Sequence, residues 1–242
     1  MKKYIYQEIK NCEWKYDNTT KKTIDKEISD IYKKNIFYRD GYLKQHKNEC
    51  FSKKSDSNRN EEWICKLSYK FHPYLNSELG KIIDYQVPLK LPKKCIPLKM
   101  QKEYDKINNG RGKIDLISKN DKTKTVYLIE VKVSKNSENP CKAVLEIYTY
   151  YNLLGGNKEI NKFLNIIGCA GYTCKTAILF EKSKDNKKES NYEGRFNKNV
   201  GNVMKLAKYF GVECYNFEVE EVEESKFFIK KISNALTKNI NW

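Results

Sequence analysis

"GKIDLISKNDKTKTVYLIEVKVS", Gly112 to Ser134, holds two apolar runs around a polar turn, and each run carries an acid where packing favours another Ile or Val. Glu130 and Lys132 are two apart in the second run. On a strand their side chains leave the same face, while Val131 and Val133 leave the other towards the core. Asp115 lies on the preceding run, and "KNDKTKT" reads as the turn between them. An antiparallel hairpin there sets Asp115 and Glu130 close together. Two neighbouring carboxylates in a half-buried place repel and cost stability unless a cation compensates. A hard divalent ion such as Mg²⁺, which takes one or two carboxylates plus water and a phosphate oxygen, answers that need, with Mn²⁺ as a substitute. Lys132 then serves to orient water or neutralise developing charge. For an E-x-K on a strand taken alone, the solvated face of a hairpin is the commoner explanation. The order of acid, turn, apolar run and E-V-K followed by a helix is what weakens it here.

Working outward, the segment downstream has clear helix punctuation. In "ENPCKAVLEIYTYYNLLGG" Asn139 can cap, Pro140 suits the first helical position and Gly155 ends the helix. "KTAILF" is a short apolar run, as in the middle of a covered sheet. "VGNVMKLAKYFG" has helical amphipathicity ending at Gly211, "VECYNFEV" reads as a strand, and the acidic-then-basic tail from Glu220 as a helix. Upstream, "EEWICKLSYKF" places Trp63, Ile64, Leu67 and Phe71 on one helical face with Pro73 beyond its end. "KIIDYQVPLK" alternates so that Ile83, Tyr85, Val87 and Leu89 lie together, and Pro88 marks an edge or a strand end. From Glu61 the order is α-β-β-β-α-β-α-β-α, which implies an α/β domain with a mixed sheet and helices on both faces. Before it, "KYIYQEI" reads as a strand, "TIDKEISDIYKKNIFY" as a helix, and "FSKKSDSNRNEE" as a polar linker.

Composition narrows the partners. The chain has 242 residues, 39% of them hydrophobic, enough for a globular fold. Its 47 basic residues against 31 acidic ones leave +16, which suits a polyanion such as nucleic acid. Eight cysteines are dispersed without a CxxC pair, the amino-terminal stretch lacks an apolar signal core, and no run reaches the ~18 apolar residues of a membrane span. A reduced, cytoplasmic protein is expected. Two histidines, His46 and His72, are too few for most His-based catalysis, and a zinc site on His46 and Cys50 lacks a second ligand pair. The segment Lys93 to Lys113, with Tyr104 among its lysines, is a candidate wall of a nucleic-acid cleft, with Lys93, Lys94, Lys99, Arg111 and Lys113 as phosphate contacts.

The sequence resembles the PD-(D/E)XK nuclease superfamily of restriction endonucleases, resolvases and repair exonucleases. "GKIDLI" resembles the motif carrying the first acid and "YLIEVKVS" the (D/E)XK strand, with Ile114 where the motif's name has proline. The resemblance spans roughly Glu61 to Phe180. It implies a restriction-endonuclease-like αβββαβ core, Asp115 and Glu130 as metal ligands and Lys132 as the catalytic lysine. Many members carry Glu or Gln on the next helix with Tyr four residues on, which implies roles for Glu146 and Tyr150, the tyrosine touching the phosphate. A Glu on the first core helix is also frequent. Glu62 is the choice here, with Glu61 and Glu78 as rivals. The domain organisation that follows is residues 1–57 as an N-terminal extension for recognition or dimerisation and 58–242 as the nuclease-like domain. The expected activity is Mg²⁺-dependent cleavage of double-stranded DNA in restriction or defence. An RNA-cleaving nuclease, a non-catalytic nucleic-acid-binding protein on the same fold and a plain interaction module stay open, as does a homodimer.

Overall fold

The computed structural model describes residues 5–9, 17–33, 60–89, 102, 112–134, 138–182, 192–223 and 226–234. The elements are α1 (Ile5–Glu8), α2 (Asn18–Lys33), α3 (Asn60–Phe71), β1 (Tyr74–Asn76), β2 (Gly80–Pro88), β3 (Lys113–Asn120), β4 (Thr125–Lys132), α4 (Pro140–Leu153), α5 (Gly156–Ile166), β5 (Thr173–Glu181), α6 (Tyr192–Phe210), β6 (Val212–Glu223) and β7 (Lys226–Asn234). The strands form one seven-stranded sheet in sequence order. Pairs β1–β2, β2–β3, β3–β4 and β6–β7 are antiparallel, while β4–β5 and β5–β6 are parallel. The crossovers that parallel pairing requires are α4 with α5, and α6. The chain is thus a mixed α/β protein, and no helix among the described residues is long and apolar enough to cross a membrane.

Helix α3 packs against both β2 and β7, the second and seventh strands of the sheet. Five strand spacings laid flat span about 24 Å, more than twice the width of a helix. One helix can meet both strands only if the sheet curls round it, and β1 does come alongside β7. Ile64, Cys65 and Leu67 of α3 fill this concave side, packed with Tyr85, Leu116, Ile129, Val131, Leu179, Phe217 and Ile229. The convex side carries the other core, where Ile117, Leu128, Ile178 and Phe180 meet α4, α5 and α6. Tyr6, Ile9 and Ile24 from α1 and α2 belong to that same core. With both faces covered, every residue of β4 is buried. Glu130 and Lys132 therefore face a helix layer, not the open side of a hairpin.

The β3–β4 hairpin, the Asn139 cap, the Pro140 start, β5, and the stop of α6 at Gly211 (φ 67°) agree with the patterns in the sequence. Several expectations need correction. Within "KYIYQEI", Ile5–Glu8 form α1 rather than a strand, because Tyr6 and Ile9, three apart, share the side turned to α4. Helix α2 starts at Asn18 instead of Thr23, since Asp17 accepts from the Thr19 and Thr20 backbone N–H at 2.9 Å and its own N–H donates to Thr20 Oγ1. Phe71 lies on the exposed side of α3, and Cys65 and Ser68 take the buried face with Ile64 and Leu67. The alternation in β2 is broken twice: a bulge between Ile82 and Asp84 puts Tyr85 with Ile82 in the concave core, and the left-handed Gln86 (φ 49°) returns Val87 and Leu89 to the convex one, where Ile83 also packs. Strand β1 and helix α5 were not anticipated. Where the tail from Glu220 is described, it is strand and not helix: the acidic run continues β6 to Glu223 and Lys226–Asn234 form β7, paired through Lys230 with Glu220 and Lys231 with Glu218.

Candidate functional site

The last register pair between β3 and β4 at this end of the hairpin is Leu116 with Ile129. One residue beyond it on each strand stand Asp115 and Glu130. Asp115 Oδ2 accepts from the Val131 N–H at 2.8 Å, so a carboxylate takes the place of a ladder carbonyl. Its Oδ1 accepts from Gln86 Nε2 at 2.7 Å. Gln86 sits at φ 49°, a left-handed backbone that costs a non-glycine residue roughly 1 kcal/mol or more, and it belongs to the irregular stretch of β2. The strained residue is the one that orients the acid. Nothing in the sequence marked Gln86.

Lys132 extends from β4 on the same side as Glu130. Its Nζ lies 2.6 Å from Glu130 Oε1, 3.3 Å from Glu138 Oε2 and 3.4 Å from Glu146 Oε2. Glu146 comes from the second turn of α4, and its Oε1 accepts from the Tyr150 hydroxyl at 2.6 Å, one helical turn on. The predicted pair is thus brought to the lysine, yet Tyr150 is buried and serves Glu146, so it is not placed to touch a phosphate directly. On the concave side, Glu61 Oε1 accepts from the Val133 N–H at 3.3 Å. Glu61, the rival to Glu62 on α3, thus meets the chain just after β4. Glu78 lies at the other end of β3, where its carbonyl accepts from Asn120. Glu181, which the sequence did not single out, accepts from the Ser134 N–H at 2.7 Å and ties the chain leaving β4 to β5. Glu138 was missed as well. Lys113 stands exposed at the start of β3, while Lys93, Lys94, Lys99 and Arg111, like His46 and Cys50, lie outside the described residues.

The electrostatics follow from crowding acids in a dry place. Burial pushes the Asp115 carboxyl up to about 7, against the pull of Lys132. Burial, Asp115 and Glu146 together push Glu130 well above the usual carboxylate range. Burial acts to lower Lys132, but Glu130, Glu146, Glu61 and Asp115 outweigh it and hold the ammonium charged, well above its usual range. Tyr150 is held neutral by burial and by Glu146. Glu130 Oε2 is buried without a hydrogen-bond partner among the described residues. A buried carboxyl oxygen left without a partner costs about 1–3 kcal/mol, which a cation bound there would offset.

Among the described residues, no three or more His, Cys, Asp or Glu side chains close round one point as a metal cage. Two carboxylates are what Mg²⁺ takes from a protein when water and substrate oxygens complete its shell. The orphaned Glu130 oxygen beside the desolvated Asp115 fits such an ion chemically. Comparison of the chain with protein-family models, with curated proteins and with solved structures finds no match in any of the three.

Proposed function

We propose that the chain is a Mg²⁺-dependent nuclease that hydrolyses phosphodiester bonds, with duplex DNA as its substrate. The observation that carries this is the meeting of Asp115, Glu130 and Lys132 at the parting end of a buried hairpin, with one carboxylate oxygen unsatisfied. A purely structural site has no use for that arrangement, since apolar side chains of similar volume would be as stable or more so. Support also comes from the order α3, β2, β3, β4, α4, β5, with β5 parallel to β4, which is compatible with a restriction-endonuclease-like αβββαβ core. The +16 net charge favours a polyanionic substrate.

In this reading Asp115 and Glu130 hold Mg²⁺, with Mn²⁺ as a substitute. When bound, the ion supplies positive charge against a phosphate and lowers the pKa of water. The chain does the rest. Gln86 and the Val131 N–H fix the Asp115 carboxylate, and Glu61 pins the backbone at Val133. Lys132 keeps its proton at Nζ and presents it to the charge that develops on the phosphate oxygens. Glu146, fixed by Tyr150, holds the ammonium from the helix side.

The test is incubation of the full chain with plasmid, single-stranded DNA and RNA, each with Mg²⁺, Mn²⁺ or EDTA. Cleavage of duplex DNA is expected with either metal, none with EDTA, and none from Asp115→Asn or Glu130→Gln. Cleavage of RNA alone would move the substrate class. Absence of metal-dependent cleavage of all three would remove the nuclease reading.

A further inference from the structure

Glu138 lies in the connection between β4 and α4, and its carboxylate bridges two ammonium groups. One oxygen stands 3.3 Å from Lys132 Nζ, and the other is paired with Lys142 Nζ in the first turn of α4. The three side chains form an exposure series, 5% for Lys132, 18% for Lys142 and 34% for Glu138, so the acid is the outermost. A carboxylate facing two lysines from the solvent side occupies the place of a doubly coordinated anion. Burial acts to raise Glu138, but Lys132 and Lys142 outweigh it and hold the group ionised.

Lys142 is misplaced for helix stability. The amino-terminal end of a helix carries partial positive charge and prefers acids, yet the first turn of α4 has none and has this lysine instead. A cation there raises the local potential and is stabilised by an anion in front of it. The helix end, Lys142 and Lys132 all favour one negative group at one place, and Glu138 now fills that place.

We infer that Glu138 is a built-in stand-in for substrate phosphate, displaced when nucleic acid binds so that Lys132 and Lys142 grasp the phosphate together. The inference rests on the nucleic-acid reading above and adds Lys142 as a phosphate-binding residue and Glu138 as an internal competitor. The exchange is favourable because a phosphate offers each lysine an oxygen, while Glu138 swings into solvent on the side where it is already one-third exposed.

Binding of a short DNA duplex to the full chain in Ca²⁺, read by fluorescence anisotropy across a salt series, tests this. Lys142→Ala is expected to weaken binding about tenfold at low salt and to lower the log–log salt slope by about one unit. Glu138→Gln is expected to tighten binding several-fold in Ca²⁺. In the Lys142→Ala background that gain should largely vanish. Glu159→Gln, which removes one exposed acid on α5 paired with Lys162, controls for net charge and should change little. The inference is overturned if Lys142→Ala binds like the parent, if Glu138→Gln gives the same gain with or without Lys142, or if Glu159→Gln tightens binding as much. A chain that binds through Lys142 but never cuts in Mg²⁺ keeps this inference and loses the nuclease. A chain that cuts with Asp115 and Glu130 but ignores Lys142 does the reverse.

Discussion

Asp115 and Lys132 show how one site divides structural from chemical demands. Asp115 is buried yet accepts two N–H donors, so its environment both resists and uses the ionised form. Its folded pKa of about 7 lies above the ordinary 3.8, so the folded state holds the proton more tightly than the unfolded one. The metal-free protein therefore loses stability as pH rises from about 4 to 7, by up to about 4 kcal/mol from this group, and the effect levels off above. Thermal melts from pH 5 to 8 in EDTA should show that decline, and Asp115→Asn should flatten it whatever constant offset the lost acceptor adds. Added Mg²⁺ should raise the melting temperature more at pH 8 than at pH 5. A second prediction concerns Lys132→Met. It leaves Glu130 buried without its cation, which costs about 3–5 kcal/mol at pH 8. That penalty should shrink at pH 5, where the acids take up protons. Urea melts at the two pH values measure it, and a penalty independent of pH would mean the lysine matters for packing alone.

Strands and helices meet at this site through a contact that only glycine permits. Gly112, one residue before β3, lies so close to α4 that an added Cβ would sit 1.8 Å from the Tyr150 hydroxyl and 2.4 Å from its ring carbon Cζ. Tyr150 is locked from the other side by Tyr6 of α1, whose ring meets it edge-on at 5.9 Å. The tyrosine cannot step aside without releasing Glu146, and Glu146 holds Lys132. Gly112→Ala should therefore lower stability by about 1–3 kcal/mol through overpacking and reduce kcat. Adding Tyr150→Ala to Gly112→Ala should recover part of the stability but not kcat, because the space returns and the Glu146 partner does not. Equal recovery of both would show that Tyr150 acts only as a spacer.

The curl of the sheet is the property of the whole molecule on which the two cores depend. Ser68, fully buried on α3, accepts from the Ile229 N–H of β7 at 3.1 Å, across 161 positions of sequence. Ser68→Ala would leave that buried N–H unpaired at a cost of about 1–3 kcal/mol. The loss should concentrate in β6–β7, with faster hydrogen exchange there than in the β3–β4 hairpin. Uniform exchange would mean that the curl is held by apolar packing and not by this bond. Since α3 also carries Glu61 to the site, any loosening of its seat reaches the backbone at Val133.

The amino-acid sequence by itself determined the elements whose signals are local: the polar turn between β3 and β4, the Asn139–Pro140 start of α4, the Gly211 stop, and the pairing of Glu130 with Lys132 by strand period. These depend on backbone chemistry within a few residues. The tail from Glu220 was illegible for a definite reason. Acids followed by bases satisfy helix spacing and hairpin pairing alike, and the choice fell to β5, which offered an edge for β6 to extend. The same holds for "KYIYQEI", whose apolar residues suit either period until α4 presents a surface. Gln86, Glu138 and Glu181 join the site through contacts 29, 6 and 47 positions away, which no local pattern encodes. Tertiary structure also decided what meets the chain after β4: Glu61 and Glu62 are alike in chemistry with side chains roughly 100° apart round the helix, and the Glu61 carboxylate is the one seen accepting from the Val133 N–H.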